Sequence, residues 1–253
     1  MMSDFSLENK VCVITGAGKG IGREIAKLFY ENGAKIALIT RDENDFVSLK
    51  QELAYNETRV LTFVGDVSKE DNVVDFIKAV IDKFAIIDVL INNAGMRFRK
   101  DFLEISSDEW SKVMDTNVGS VYLFCREVGR HMVAGKQGKI INIASIAGTL
   151  GLPQLSVYAA SKGAMISFTK CLALEWAEKG INVNAIAPGF CETSYADNFK
   201  KKKDLYDFTI ERIPQKKWGS SRDVANACLF LATDASNYIT GEVLTIDGGW
   251  SAW

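Results

Sequence analysis

Lys10-Val-Cys-Val-Ile-Thr15-Gly16-Ala-Gly18-Lys19-Gly20-Ile21-Gly22 is the stretch whose reading decides the fold. It opens with the apolar, β-branched run of a buried strand and passes through glycines into residues 21–32, where Ile21, Ile25, Leu28 and Phe29 share one helical face. Glycines at such a junction let the backbone approach a pyrophosphate, whose charge the positive end of the helix stabilises. A glycine-rich turn that binds nothing is the plainer alternative. The strand before and the helix after favour a nucleotide loop formed by Gly16, Gly18, Lys19, Gly20, Ile21 and Gly22.

The same alternation continues outward from this unit. Short apolar runs near residues 10–15, 35–40, 59–64, 86–91, 139–143, 181–186 and 243–246 read as strands, with helical periodicity between them. Strands alternating with helices imply right-handed βαβ crossovers. The expected fold is α/β, a doubly wound Rossmann-like parallel sheet of about seven strands covered by helices on both faces. No repeat or Pro/Gly-rich linker interrupts it, so residues 1–253 form one dinucleotide-binding domain. Residues 190–219 are the least regular part, long for a connection, and are read as a substrate lid. Within them, Lys200 to Lys203 read as a solvated helix face in preference to a phosphate site.

Composition narrows the function classes. The chain is 47% hydrophobic and 25% charged with a formal net charge of -2, which gives no basic surface for nucleic acid or an anionic membrane. The cysteines, Cys12, Cys125, Cys171, Cys191 and Cys228, are scattered and accompanied by one histidine, His131. Neither a disulfide framework nor a zinc site is expected, and a reducing cytosol fits. The amino-terminal stretch is polar and acidic, and no apolar run approaches the ~18 residues of a membrane span. The expectation is a cytoplasmic protein without a metal. His131, on a helix away from the strand ends, reads as structural.

Ligands of open α/β sheets sit beyond the carboxyl ends of the strands. Those ends carry Asp66-Val67, Asn92-Asn93-Ala94-Gly95, Ser145 and Pro188-Gly189, each a common turn or cap residue when taken alone. At the end of the second strand, an acid would bond a free ribose 2′-hydroxyl, whereas an arginine would hold a 2′-phosphate. Arg41 follows Thr40 there, with Lys19 as a second cation, which favours NADP(H) over NAD(H). Asp42, about 20 residues beyond the glycines, points the other way.

The fifth strand leads to Ser145 and then to Tyr158 and Lys162, which share one helical face if both lie on a helix. Pro153 and Ser156 are start signals for a helix beginning near Val157, with Tyr158 in its first turn. A phenol titrates near ~10, and a neighbouring cation together with the helix dipole favours the phenolate. The pair therefore makes a tunable acid. Singly, Tyr158 reads as a core tyrosine and Ser145 as a cap.

Together, Thr15 to Gly22, Asp66, Asn92 to Gly95, Asn117, Ser145, Tyr158-x-x-x-Lys162, Pro188-Gly189 and Thr193 resemble, in order and spacing, the short-chain dehydrogenase/reductase family. The resemblance covers essentially the whole chain. It implies a single-domain enzyme, commonly a tetramer, that interconverts a carbonyl and an alcohol with a nicotinamide cofactor. It implies that Tyr158 is the acid/base, that Ser145 holds the substrate oxygen, that Lys162 binds the nicotinamide ribose and depresses the Tyr158 pKa, and that Asn117 anchors a water of the proton relay. By the same likeness Asp66 and Val67 contact adenine, Asn92, Asn93, Ala94 and Gly95 shape the cofactor site, and Thr193 meets the carboxamide.

Within the family, Met96-Arg97-Phe98-Arg99, Lys217-Trp218-Gly219 and Asp247-Gly-Gly-Trp250 are similar to the branch acting on sugars and sugar acids. Arg97 or Arg99 can pair bidentately with a substrate carboxylate or phosphate; surface solvation is the plainer role. The alternative branch reduces 3-oxoacyl groups on acyl carrier protein. Arg130 resembles one of its carrier-docking residues, while Leu174 stands where another basic residue is expected. A non-catalytic NADPH sensor is the alternative of another class, which the complete Asn117, Ser145, Tyr158 and Lys162 set argues against. Trp250 and Trp253 are expected to pack at a sheet edge or subunit interface.

Overall fold

Successive residues of β1 (Val11–Thr15) enter different layers of the molecule. Val11 and Val13 join the apolar core on one face of the sheet, and Cys12 and Ile14 join the core on the other. Every residue of the strand is buried, which is why it reads as a continuous apolar run and not as an alternation. The computed structural model describes residues 4–54, 56–193 and 199–252. None of its described helices is long and apolar enough to cross a membrane.

From β1 the chain runs through α1 (Gly20–Glu31), β2 (Lys35–Thr40), α2 (Glu43–Leu53), β3 (Val60–Val64), α3 (Glu70–Phe84) and β4 (Val89–Asn92). It continues through α4 (Ser107–Met114), α5 (Ser120–Gly135), β5 (Gly138–Ile143), α6 (Ser156–Trp176) and β6 (Ile181–Pro188). Two short strands, β7 (Cys191–Glu192) and β8 (Gly219–Ser220), flank α7 (Lys203–Arg212), and α8 (Ser221–Ala232) leads to β9 (Val243–Ile246). The main sheet has seven parallel strands in the order β3-β2-β1-β4-β5-β6-β9. Side chains of α3, α5 and α6 such as Phe76, Phe124 and Met165 fill one core. Those of α1, α2 and α8, such as Phe29, Phe46 and Leu231, fill the other. This is the expected doubly wound fold, and its strand order reverses between β1 and β4, where such sheets open a ligand crevice.

All seven expected strands are present. The fourth begins later than its apolar run, because Ala85 ends α3 in a left-handed conformation and the carboxylate of Asp88 accepts the Val11 N–H at 2.8 Å before the ladder starts. The segment 190–219 is closed at its base by a parallel ladder of β7 with β8, two residues each, too short to leave a periodicity. Its buried residues Phe199, Ile213 and Trp218 form a third core with Ile146. Trp250 belongs to that core, against Phe190 at 4.9 Å between ring centroids, and so not to a free sheet edge. Trp253 lies outside the described residues, as do residues 194–198. Lys200 pairs with Glu192 and Lys203 with Asp207 on the exposed surface, as a solvated face requires.

A buried polar chain crosses the sheet. Asn92 donates to Asn142 Oδ1 at 2.8 Å, Asn142 donates to Thr169 Oγ1 at 2.9 Å, and Thr169 donates to the Met165 carbonyl at 2.8 Å. It links β4, β5 and α6 through groups that water does not reach. Replacing Asn142 by Leu leaves the Asn92 amide and the Thr169 hydroxyl short of a partner, at a cost of ~1–3 kcal/mol. Urea unfolding of Asn142→Leu should show a lowered midpoint; an unchanged one would mean the chain of bonds adds nothing to stability.

Candidate active site

The crevice is held by the end of β1. Thr15 Oγ1 accepts the N–H groups of Asn93 and Ala94 at 3.0 and 2.9 Å, and the Asn93 amide donates to the carbonyls of Thr15 and Gly16, both at 3.0 Å. Beneath the loop, a Cβ on Gly22 would stand 2.4 Å from the Gly16 carbonyl oxygen, so only glycine lets α1 approach this closely. Lys19, the residue preceding α1, makes no side-chain capping bond, and the first turn carries no acid. The amide donors at the positive end of α1 are thus left for an anion.

These groups border a cavity of about 680 Å³. Gly16, Gly18, Lys19, Gly20 and Ile21 form one wall, and Arg41, Asp66 and Val67 another. Ala94, Gly95 and Thr193 close the end nearest β4. Asp66 Oδ1 accepts both the N–H and the hydroxyl of Ser68, at 2.9 and 2.8 Å. Burial pushes its carboxyl up, but those bonds and the nearby Arg41 charge outweigh it and hold the pKa below the ordinary value.

A second cavity of about 260 Å³ opens from the first, sharing Ile21, Asn93, Gly95, Met96 and Thr193 with it. It is lined by Ser145, Tyr158 and Lys162 together with Arg97, Pro188, Gly189, Phe190 and Trp218. Tyr158 is the third residue of α6, in its first turn as expected, although the helix starts at Ser156 and Leu155, not Ser156, precedes it. Ser145 accepts the Ala147 N–H at 3.1 Å, so its plain role as a turn cap coexists with its place on the cavity wall.

Lys162 is 4% exposed and donates to the Ile143 carbonyl, the last residue of β5, at 2.6 Å. Burial pulls its pKa down to about 8. The Tyr158 phenol is shifted upward, because burial outweighs the Ser145 hydroxyl and the positive charge of Arg97, both of which pull it down. This corrects the expectation that Lys162 depresses it. The ammonium is held by the strand-end carbonyl, 5.9 Å from the centre of the phenol ring, and the cation acting on the phenol is Arg97.

Asn117 lies in a π-helical turn, Asp115–Gly119, between α4 and α5, the kind of bulge that often marks a functional site. Its Oδ1 accepts the Met96 N–H at 2.7 Å, and its Nδ2 donates to the Met96 carbonyl at 3.0 Å and to Ser161 Oγ at 2.9 Å. Ser161 in turn donates to the Tyr158 carbonyl. One side chain therefore ties the segment after β4 to the first turns of α6.

Three expected site residues are placed elsewhere. Asn92 is turned into the sheet toward Asn142, and Asn93 takes the position on the cavity wall. Gly22 supports the loop without lining either cavity. Arg99 donates to the Pro153 carbonyl at 3.3 Å and borders neither cavity, because the segment is pinned to the 153–154 turn by the bond from Lys100 N to Gln154. Thr15 reads as part of the glycine motif but its bridging role does not show in the sequence, and Asp45, a buried acid on the wall of the larger cavity, has no motif to flag it.

The chain matches the family profile described as enoyl-(acyl carrier protein) reductase over residues 16–251. It is 40% identical over 255 residues to the 2-dehydro-3-deoxy-D-gluconate 5-dehydrogenase of Pseudoalteromonas atlantica, covering 99% of each chain. It is also 40% identical to the 3-oxoacyl-(acyl-carrier-protein) reductase of Chlamydia muridarum, over 96% of this chain and 98% of that one. The crystal structure of a gluconate 5-dehydrogenase from Burkholderia cenocepacia in complex with NADP and tartrate superposes with a TM-score of 0.93 at 33% identity, over 99% of this chain and 98% of that one. With a profile match over nearly its whole length and relatives of the same extent, the chain belongs to the short-chain dehydrogenase/reductase family.

Proposed function

We propose that this protein is an NADP(H)-dependent oxidoreductase that interconverts a ketone and a secondary alcohol, with Tyr158 as its acid/base and a keto-sugar or sugar acid as substrate. The observation that carries it is the junction of the two cavities. A crevice bordered by the uncapped start of α1 and by the cations Lys19, Arg41 and Lys112 opens directly onto a pocket holding a hydroxyl, a phenol and a buried ammonium. When bound, the dinucleotide supplies or receives the hydride. The uncapped α1 terminus and glycine loop would hold its pyrophosphate, Asp66 and Val67 its adenine, Lys19 and Arg41 its 2′-phosphate, and Lys162 and Thr193 its nicotinamide half.

In reduction, Tyr158 gives its proton to the carbonyl oxygen while the Ser145 hydroxyl holds that oxygen in place. In oxidation the phenolate takes the proton back. Asn117 anchors the water through which Tyr158 is reprotonated. Arg97, on the wall of a pocket of about 260 Å³, fits the carboxylate of a compact sugar acid better than an acyl chain. The carrier-protein reading is weakened further on the surface. Arg130 is engaged with Glu127 at 2.9 Å, and Leu174 is an exposed apolar side chain. Residues 190–219 act as the substrate lid, contributing Phe190 and Trp218 to the pocket. The exposed Phe102, Leu103, Trp110, Tyr122 and Leu174 support burial between copies in a homodimer or homotetramer of a cytoplasmic enzyme.

Tyr158→Phe should lower turnover of keto-sugar acids by ~10²–10⁴-fold while NADPH binding, read by fluorescence, stays within a few-fold; full activity would remove Tyr158 from the reaction. Arg41→Ala should weaken NADPH far more than NADH in the same titration, and equal losses would place the 2′-phosphate elsewhere. The raised phenol pKa has a sign that can be followed by pH. Tyr158 is protonated through neutrality, so reduction needs no prior proton uptake, whereas oxidation depends on a scarce phenolate. The kcat/KM for alcohol oxidation should climb steadily between about pH 7 and 9, with reduction flat until Lys162 loses its charge near 8. A level oxidation profile over that range would contradict the assignment. NADPH binding without turnover on a broad carbonyl and polyol panel would instead favour a sensor.

A further inference from the structure

Asp45 lies in the first turn of α2 with its side chain 10% exposed, on the wall of the cavity assigned to the dinucleotide. Its Oδ2 accepts the Thr40 hydroxyl at 2.9 Å, and its Oδ1 stands 3.7 Å from the ammonium of Lys19. The Thr40 hydroxyl holds the carboxylate, and its backbone is tied to the loop. Arg23 Nη1 donates to the carbonyls of Gly18 and Asp45 at 3.0 and 3.2 Å, locking the glycine loop to this turn. A Cβ on Gly18 would fall 2.0 Å from Asp45 Oδ2, so that glycine serves to seat the carboxylate under the loop.

The acid at the customary distance beyond the glycines, Asp42, is otherwise engaged: its Oδ1 accepts the backbone and side-chain N–H groups of Asn44, both at 3.0 Å, at the start of α2. Asp42 is exposed, whereas Asp45 is the buried carboxylate beside the glycine loop and the better placed of the two to meet an adenosine ribose. Thr40, which lines the same cavity, has its only hydroxyl proton directed to Asp45, so toward a ligand its oxygen can act only as an acceptor. Two acceptors suit a ribose 2′-hydroxyl, which has a proton to donate. A 2′-phosphate finds no donor in either, meets a like charge in Asp45, and must compete with it for Lys19. Arg41 is the cation on that wall that Asp45 does not engage.

We propose that Asp45 is a specificity-determining residue that counterweights Lys19 and Arg41, so that the enzyme accepts both NADP(H) and NAD(H) with only a modest preference for the phosphorylated form. The inference rests on the dinucleotide reading of the larger cavity. Wild-type protein titrated with NADPH and NADH by fluorescence should bind both, with dissociation constants within about tenfold of each other. In Asp45→Asn, and in the smaller neutral Asp45→Ser, each checked for folding by its melting curve, the preference for NADPH should grow by about tenfold. A wild-type preference beyond about a hundredfold, or an unchanged or smaller preference in a folded variant, overturns the role of Asp45 alone. Binding of neither dinucleotide by wild-type protein overturns the reading beneath it.

Discussion

Five hydrogen bonds between the end of β1 with its glycine loop and the end of β4 with the two residues after it hold the site in being. Thr15 offers one oxygen to Asn93 N and Ala94 N and sends its own proton to the Ile91 carbonyl, while the Asn93 amide returns two bonds to the glycine loop. The strand order reverses at this seam, so the chains leaving β1 and β4 part to opposite faces and the space between them must be bridged by side chains. Gly22 lets α1 rise against the bridge. The uncapped first turn of that helix and the entrance to the smaller cavity lie beside it.

The smaller cavity is built on a different principle. Its lysine is buried, and an ammonium taken out of water costs several kcal/mol unless it is well bonded. The carbonyl of Ile143 meets part of that cost, and burial lowers the pKa of Lys162 to about 8. The same burial raises the phenol of Tyr158. Burial thus moves the two groups apart on the pH scale, favouring the neutral phenol and the neutral amine, so that the phenol keeps its proton through neutrality. Asn117 and Ser161 fix the geometry of that pair from behind by tying Met96 to α6.

Much of this was legible in the sequence, for identifiable reasons. The inner strands, buried on both faces, leave uninterrupted apolar runs, the edge strands β3 and β9 keep largely apolar ones, and all seven were visible. The residues at their carboxyl ends are polar where the rest of the strand is not, which marked the crevice wall by wall. What stayed hidden lacked periodicity or depended on tertiary choice. The β7–β8 ladder is two residues a side. Asn92 and Asn93 are adjacent and chemically identical, and only the pleat of β4 decides that the first enters the core and the second the crevice. The choice between Asp42 and Asp45 turned on which carboxylate the start of α2 consumes. The pull of Lys162 on Tyr158 was misjudged because spacing along a helix says nothing of the strand-end carbonyl waiting for the ammonium.

The central claim is that the two joined cavities bring a nicotinamide dinucleotide and a carbonyl together for direct hydride transfer. Incubation with NADPH deuterated at the transferable C4 position and a panel of keto-sugar acids, followed by mass spectrometry of the alcohols formed, tests it most directly. One deuterium bound to carbon per product molecule is the predicted result. Product without deuterium, or cofactor bound but no product from any member of the panel, would contradict it.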